Sequence, residues 1–368
     1  MTSGIAAQPD CANCHSATKG IGRCLNYRRN SVKFWLLDVV FGTLLGFLVV
    51  WFHVYLIPDN WPILWFLLAS MTLVMVLQSL LSFFIGNLIG SMEAMIPGGF
   101  IGMGAMAVAY LPLPNRGLMF FSGAATGFAI SMIFVLIDAS LRDVSMEGLP
   151  HLVSRQKVNP PSFALRIPSW LRDLQEMAGA QRRAFAQRVL FANMGESVLF
   201  VAAGSGLNFA NFPPHRNIVA IDVNVEALRH ARVRSEFYDG TMQLVEADVQ
   251  KLPFRGAFFD TVATASTLCS VPNPYQGLSE MYRVLKPGGR LLMLEHVRSG
   301  NPLIAFEQDM MNVAMRFLGS DVNRNTVGAV RDAGFVIDRI RSAYLDVFLI
   351  IDGHKPAEMA GGPGAPQS

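Results

Sequence analysis

Polar and charged residues fill the first 33 positions, and from Phe34 they all but vanish. Four apolar runs follow, at 34–57, 63–90, 96–113 and 117–138, separated by the turn-forming stretches PDNWP, SMEAMIPGG and LPLPNRG. At ~1.5 Å per residue the first run covers the ~30 Å of a bilayer's hydrocarbon. The pattern predicts about four membrane-spanning helices over 34–141, the third being the shortest and rich in glycine. Five basic residues precede the first run (Lys19, Arg23, Arg28, Arg29 and Lys33), and Arg142, Arg155 and Lys157 follow the last. The two short loops on the other side carry only Arg116. The basic excess marks the cytoplasmic flanks, so the chain is expected to be an integral membrane protein with both termini and the catalytic domain in the cytoplasm.

Residues 142–192 form a connector. VNPPSFALRIPSW is broken by prolines. In 171–190, Leu171, Leu174, Met177 and Ala178 share one helical face, with arginines elsewhere. That helix either covers the edge of the next domain or lies on an anionic membrane surface. From about 193 the pattern changes to alternation. SVLFVAA, NIVAIDV, TMQLVEAD, FDTVATAS and RLLMLEHV read as strands, with helical periodicity between them near 224–236 and 275–285. Such alternation predicts a parallel sheet wrapped by helices over 193–352. The Gly-, Pro- and Ala-rich residues 353–368 are expected to be disordered.

Composition sharpens the division. The chain is 52% hydrophobic and 15% charged, against about a quarter charged in soluble domains, and the apolar excess lies in the first 140 residues. A net charge of +3 is too small to suggest a nucleic-acid partner. The expected partners are the lipid bilayer and a small-molecule acceptor.

The chemistry centres on VLFVAAGSGLN at 198–208. An apolar strand runs into Gly204-Ser205-Gly206, where glycines allow a tight turn and close approach of a ligand. A lone Gly-x-Gly also fits an ordinary strand-to-helix turn. Asp222 at the end of the second strand could accept both hydroxyl hydrogens of a ribose, and Asp248 at the end of the third suits the base. Each aspartate could equally be a helix N-cap.

TLCSV at 267–271, VLKPGG at 284–289 and LEHV at 294–297, with the glycine turn, resemble the class I S-adenosylmethionine-dependent methyltransferases. The resemblance covers about 195–352 and is nearest the branch of quinone, phosphatidylethanolamine and methyltransferase-like small-thiol methyltransferases. It implies a Rossmann-like α/β fold and S-adenosylmethionine as cofactor. Gly204, Ser205 and Gly206 would bound the methionine part and Asp222 would hold the ribose. Asp248 and Val249 would frame the adenine, and Thr267 or Leu268 would lie near the carboxylate or sulfonium. Members commonly carry an acid where Phe200 stands and a glycine where Ala202 stands.

Methyl transfer relies mainly on alignment and exclusion of water. Glu295 and His296 are the candidates for taking a proton from the acceptor, against a plain strand-end pair. Cys269 reads as a small core residue. Cys11, Cys14, His15 and Cys24 offer a set for zinc or a soft metal, against incidental cysteines. C-x-x-C-H also matches covalent haem attachment, which the cytoplasmic placement opposes. Met92, Met95, Met103 and Met106 read as apolar filler, and Glu93 as part of a cytoplasmic loop. The reading is a membrane-anchored methyltransferase whose acceptor is a small or apolar thiol. Alternatives are a phospholipid head group or quinone as acceptor, or a metal-handling or transport protein whose methyltransferase-like domain senses a ligand.

Overall fold

A computed structural model of the chain describes residues 18–57, 61–141, 169–317 and 319–357. Four helices occupy the apolar half: α1 (Thr18–Leu56), α2 (Ile63–Ile89), α3 (Ser91–Ala109) and α4 (Arg116–Leu141). α1 begins at Thr18, well inside the stretch expected to be a polar tail, so residues 18–33 extend the first apolar helix. The break between the second and third runs is confined to Gly90, whose φ of 99° ends α2. Ser91 to Gly99, expected to be a loop, form the first half of α3 despite Pro97.

Among the described residues, two helical segments are long and apolar enough to cross a bilayer, Val32–Leu56 and Arg116–Leu141. Leu68–Gln78 and Glu93–Ala109 are shorter apolar segments. The expectation of four spans is thus reduced to four helices with two candidate spans. α1 and α4 approach through glycines. A Cβ on Gly46 would run into the carbonyl of Gly123, and one on Gly127 into that of Gly42. Paired glycines four apart let apolar helices pack backbone to backbone.

α5 (Ser169–Phe191) leads into a seven-stranded sheet. The strands are β1 (Ser197–Val201), β2 (Asn217–Asp222), β3 (Thr241–Glu246), β4 (Phe259–Ala265), β5 (Leu285–His296), β6 (Val336–Tyr344) and β7 (Phe348–His354). Their order is β3-β2-β1-β4-β5-β7-β6, parallel except for β7, which runs antiparallel to both neighbours. Helices α6 (Val225–Ser235), α7 (Pro274–Val284), α8 (Pro302–Phe317) and α9 (Thr326–Asp332) connect the strands. The Lys286-Pro287-Gly288-Gly289 segment opens β5 past a bulge. Gly288 and Gly289 exchange backbone hydrogen bonds with Lys355 at 2.9 Å each. The start of the predicted disordered tail is therefore tied to the sheet; 358–368 lie outside the described residues.

The bundle packs against the sheet. Ile96 of α3 and Phe134 of α4 share one buried cluster with Ile304, Met311, Tyr344, Val347 and Phe348. α5 lies at this junction with Arg182 and Arg183 turned inward, opposite to the sequence expectation. Arg182 makes a two-pronged pair with Asp38 of α1, at 2.8 and 2.6 Å. Arg183 pairs with Glu93 of α3, which is 2% exposed rather than in a solvated loop. Asp138 of α4 accepts the Leu345 N–H at 3.1 Å.

Candidate active site

Strand order reverses between β1 and β4, and in open parallel sheets such a switch point opens a crevice at the strands' C-terminal ends. β1 leaves the sheet there through Ala202, Gly204 and Gly206, with φ of 55°, 55° and 86°. A Cβ on Gly204 would meet nothing within 4 Å, so the space beside this turn is open. Asp222 braces the turn: one carboxylate oxygen accepts the Gly204 N–H at 2.8 Å and the other the Asn224 N–H at 2.8 Å. Each oxygen has a second lone pair available to a ligand hydroxyl.

The ladder between β2 and β3 continues to Ala247, whose N–H donates to the Asp222 carbonyl at 3.1 Å. Asp222 and Asp248 are thereby held at neighbouring strand ends. Asp248 accepts the Gln250 N–H at 2.8 Å. Val249, expected beside a base, is buried in the core against α7. Val223, immediately after Asp222, is 64% exposed.

Ser205 is 4% exposed, and its Oγ has no hydrogen-bond partner. Buried hydroxyls are normally satisfied, so an unpaired one between two glycines fits a polar ligand group. Together with the free acceptor capacity of Asp222, this turn suits the amino-acid and ribose parts of S-adenosylmethionine.

β4 exits through Ser266, at φ 54°, into the loop bearing Thr267 and Leu268. Glu295 holds this loop from the adjacent strand. Its carboxylate accepts the Thr264 hydroxyl at 2.6 Å, the Thr267 N–H at 3.1 and 3.0 Å and the Leu268 N–H at 3.1 Å. Burial pushes Glu295 up to about 7 despite these bonds and the nearby Arg324. On the loop's other side Arg324 donates to the carbonyls of Leu268 and Val271 and pairs with Asp321 at 3.1 Å. Arg324 was not singled out in the sequence; nothing local marks a loop-clamping arginine more than fifty residues away. Cys269 is buried, with Sγ 3.4 Å from the Ser266 carbonyl oxygen.

His296 is on the opposite side of β5. Its ring lies 4.0 Å from that of Phe348, centroid to centroid, and Arg183 covers the same Phe348 ring at 4.2 Å. Burial, with a smaller contribution from Arg183, pushes His296 down to about 3, and its Nδ1 has no hydrogen-bond partner. The expected proton-taking pair is thus split across the sheet: Glu295 braces the β4 loop, and His296 is a neutral ring in the junction.

Phe200 is fully buried among aromatic rings, 4.8 Å from Phe212 and 6.0 Å from Phe191. An aromatic cluster therefore fills the place where the resembling enzymes carry an acid. Ala202 adopts the left-handed conformation that a glycine takes without strain. Cys11, Cys14 and His15 lie outside the described residues, and Cys24 falls within α1 with its side chain outside the description. Among the described residues no group of three or more His, Cys, Asp or Glu could hold a metal ion.

Residues 199–293 match the methyltransferase domain family. The chain is 37% identical over 143 residues to the ubiquinone/menaquinone biosynthesis C-methyltransferase of Ectopseudomonas mendocina (strain ymp), spanning 37% of this chain and 56% of that protein. Identity to the protein of the same description from Hahella chejuensis is 34% over 139 residues, 36% of this chain and 56% of that one. The chain thus spans little more than half the length of these relatives. It is also similar to the solved structure of an O-methyltransferase family protein from Burkholderia thailandensis, at 18% identity and a TM-score of 0.44, covering 52% of this chain and 60% of that one. Residues 199–293 thus lie in a class I S-adenosylmethionine-dependent methyltransferase domain.

Proposed function

We propose that the chain is a membrane-anchored methyltransferase acting on an apolar acceptor dissolved in the bilayer, with both termini cytoplasmic. The observation that carries this reading is the buried junction between bundle and sheet. Ile96 and Phe134 of the apolar helices pack directly on Tyr344 and Phe348 of the catalytic domain, so the bundle is a fixed wall of that domain. The bundle's outward residues suit lipid: Leu36, Leu64, Phe121 and Leu136 are 63%, 63%, 70% and 62% exposed. Two spans or four leave both ends on one side, and the basic flanks favour the cytoplasm.

S-adenosylmethionine, when bound, supplies a methyl group already activated on a sulfonium. The chain's own work is positional. The Gly204–Gly206 turn and Asp222 bind, and Glu295 and Arg324 fix the 266–271 loop. Rigid alignment of this kind accounts for much of the barrier in a bimolecular transfer.

The relatives are described as C-methyltransferases of ubiquinone and menaquinone biosynthesis, and this reading takes the acceptor to be a prenylated aromatic ring of that class. A second reading, an apolar thiol, is favoured by the commitment of Glu295 and His296 to packing. A thiol with a pKa near ~8.5 is partly thiolate at neutral pH without a strong base.

The test uses the full chain in nanodiscs with S-adenosylmethionine, a prenylated hydroquinone and a long-chain alkyl thiol present together. Ring-methylated product by mass spectrometry supports the first reading, and S-methyl product alone selects the second. Methylated phospholipid as the sole product overturns both. Reporter fusions at the two termini should both read cytoplasmic; a C-terminus on the far side overturns the topology.

A further inference from the structure

α8, which follows β5, buries Ile304, Ala305 and Met311 and yet carries a second apolar stripe on its exposed side. Helices on a soluble domain turn their apolar stripe inward and their polar residues to water. α7 obeys: Leu278, Met281 and Val284 are buried, and Gln276, Ser279 and Arg283 face out. In α8 the buried residues include Glu307, Gln308 and Asn312, at 7%, 2% and 8% exposure. Leu303, Phe306 and Val313 stand out at 67%, 53% and 64%. Spacings of three and seven residues place these three on one helical face.

The buried polar groups are satisfied inside the protein. Gln308 accepts the Ser299 N–H at 2.7 Å, and Asn312 accepts the Val322 N–H at 2.9 Å. Glu307 reaches the bundle: it accepts from Gln78 of α2 at 3.2 Å and lies against Gly99 of α3, where any Cβ would strike its carboxylate. α8 is therefore docked on the apolar helices. On the contacting face of α3, one turn beyond Gly99, Met103 is 38% exposed. The flanking charges of α8 are neutralised, Asp309 by Arg298 at 2.8 Å and Arg316 by Asp321 at 3.7 Å.

We propose that α8 is a membrane-surface helix of the catalytic domain, its Leu303–Phe306–Val313 stripe seated among lipid acyl chains beside the bundle. The occupant follows from continuity. α8 is docked on α2 and α3, helices that the membrane reading places in lipid, and helices that lie in an interface bury such a face ~5–10 Å into the headgroup–acyl boundary. The inference rests on the membrane placement of the bundle. It adds that the segment directly after Glu295 and His296 also touches the bilayer, in a part of the chain the sequence reading left in the cytoplasm.

Single cysteines at Leu303, Phe306 and Val313, in the full chain with native cysteines replaced, carry a nitroxide label in phosphatidylcholine–phosphatidylglycerol vesicles. Each labelled chain is first checked for S-adenosylmethionine binding. Collision with oxygen, which concentrates in acyl chains, is compared with collision with a water-soluble nickel chelate. The logarithm of the oxygen-to-nickel ratio should be positive at all three positions and negative at Gln276→Cys and Arg283→Cys on α7. Leu136→Cys in α4 reports the bundle. Lipid exposure at 136 with nickel access at 303, 306 and 313 overturns the α8 proposal alone. Nickel access at 136 overturns the membrane reading beneath it. Labels on α8 shielded from both reagents would mean that a second protein copy covers the stripe, which also overturns the proposal.

Discussion

In the crevice, the groups that shape the first two turns lie close in sequence to their partners. Asp222 braces Gly204 eighteen residues away and Asn224 two away, and Asp248 holds Gln250 two away. At the junction with the bundle, Arg182 meets Asp38 across 144 residues, Arg183 meets Glu93 across 90, and Leu345 meets Asp138 across 207. Crevice groups remain partly solvated and keep capacity for a ligand, whereas the junction is closed and pairs its charges internally. The first region is built to bind and the second to hold, so the same kind of substitution should separate them by its readout.

The largest effect is expected at the junction. Arg183→Ala leaves Glu93 buried without its partner, and breaking a buried pair from one side costs ~3–5 kcal/mol. The unfolding temperature of the detergent-solubilised chain should fall steeply. The double change Arg183→Met with Glu93→Leu removes both charges and should recover most of the loss, because an apolar replacement of a buried pair is often neutral. A double variant as unstable as the single one would mean that the ion pair is not what makes the site sensitive.

Asp222→Ala should give the opposite pattern. Hydrogen bonds to a charged acceptor are worth ~1.5–3 kcal/mol each, so affinity for S-adenosylmethionine should drop at least about tenfold by calorimetric titration. Loss of the bonds to the Gly204 and Asn224 N–H groups should lower the unfolding temperature less than Arg183→Ala does, because water can reach this partly solvated site. Unaltered affinity would detach Asp222 from the cofactor. Between these regions in kind lies Gly46→Ala, which puts a methyl into the backbone of Gly123. Overpacking costs ~1–3 kcal/mol, which should again appear in thermal unfolding and leave cofactor affinity unmoved.

The same contrast explains what could be read from the chain. The strand-to-turn alternation, the Gly204–Gly206 turn and the strand-end acids are local patterns, and local backbone chemistry wrote them plainly. The four helices were legible from hydropathy; among the described residues, two of them hold candidate spans. The inward turn of Arg182 and Arg183 was not legible, since a helical face is called polar or apolar without reference to buried acids elsewhere. For the same reason Glu93 read as a loop acid and α8 drew no notice. Val249 is buried where an exposed neighbour of the ligand was expected, because sequence gives the strand end but not which residue points out of the core.

β5 joins the two regions, and its last two residues titrate in opposite senses. Glu295, pushed up to about 7, keeps its proton in the folded chain over a range where the unfolded chain, near 4.5, has lost it. Its contribution to stability is fully present below about 4.5 and is lost as pH rises to about 7. His296, pushed down to about 3 from 6.5, stays neutral in the folded chain while the unfolded chain takes up a proton. Its contribution is present above about 6.5 and is lost as pH falls to about 3. Between about 4.5 and 6.5 the two slopes oppose, so the wild-type chain should show little net pH dependence from this pair, and the effect is the smallest of the set. Each slope is limited to ~1.4 kcal/mol per pH unit, and single variants should uncover them separately. Glu295→Gln leaves stability climbing from pH 3 to 6.5 without offset, and His296→Leu leaves it falling from 4.5 to 7. Thermal unfolding of the three chains across pH 3–8 reads both directly. If both variants keep the wild-type profile, neither group is enclosed as described, and His296 returns as a candidate base at the crevice.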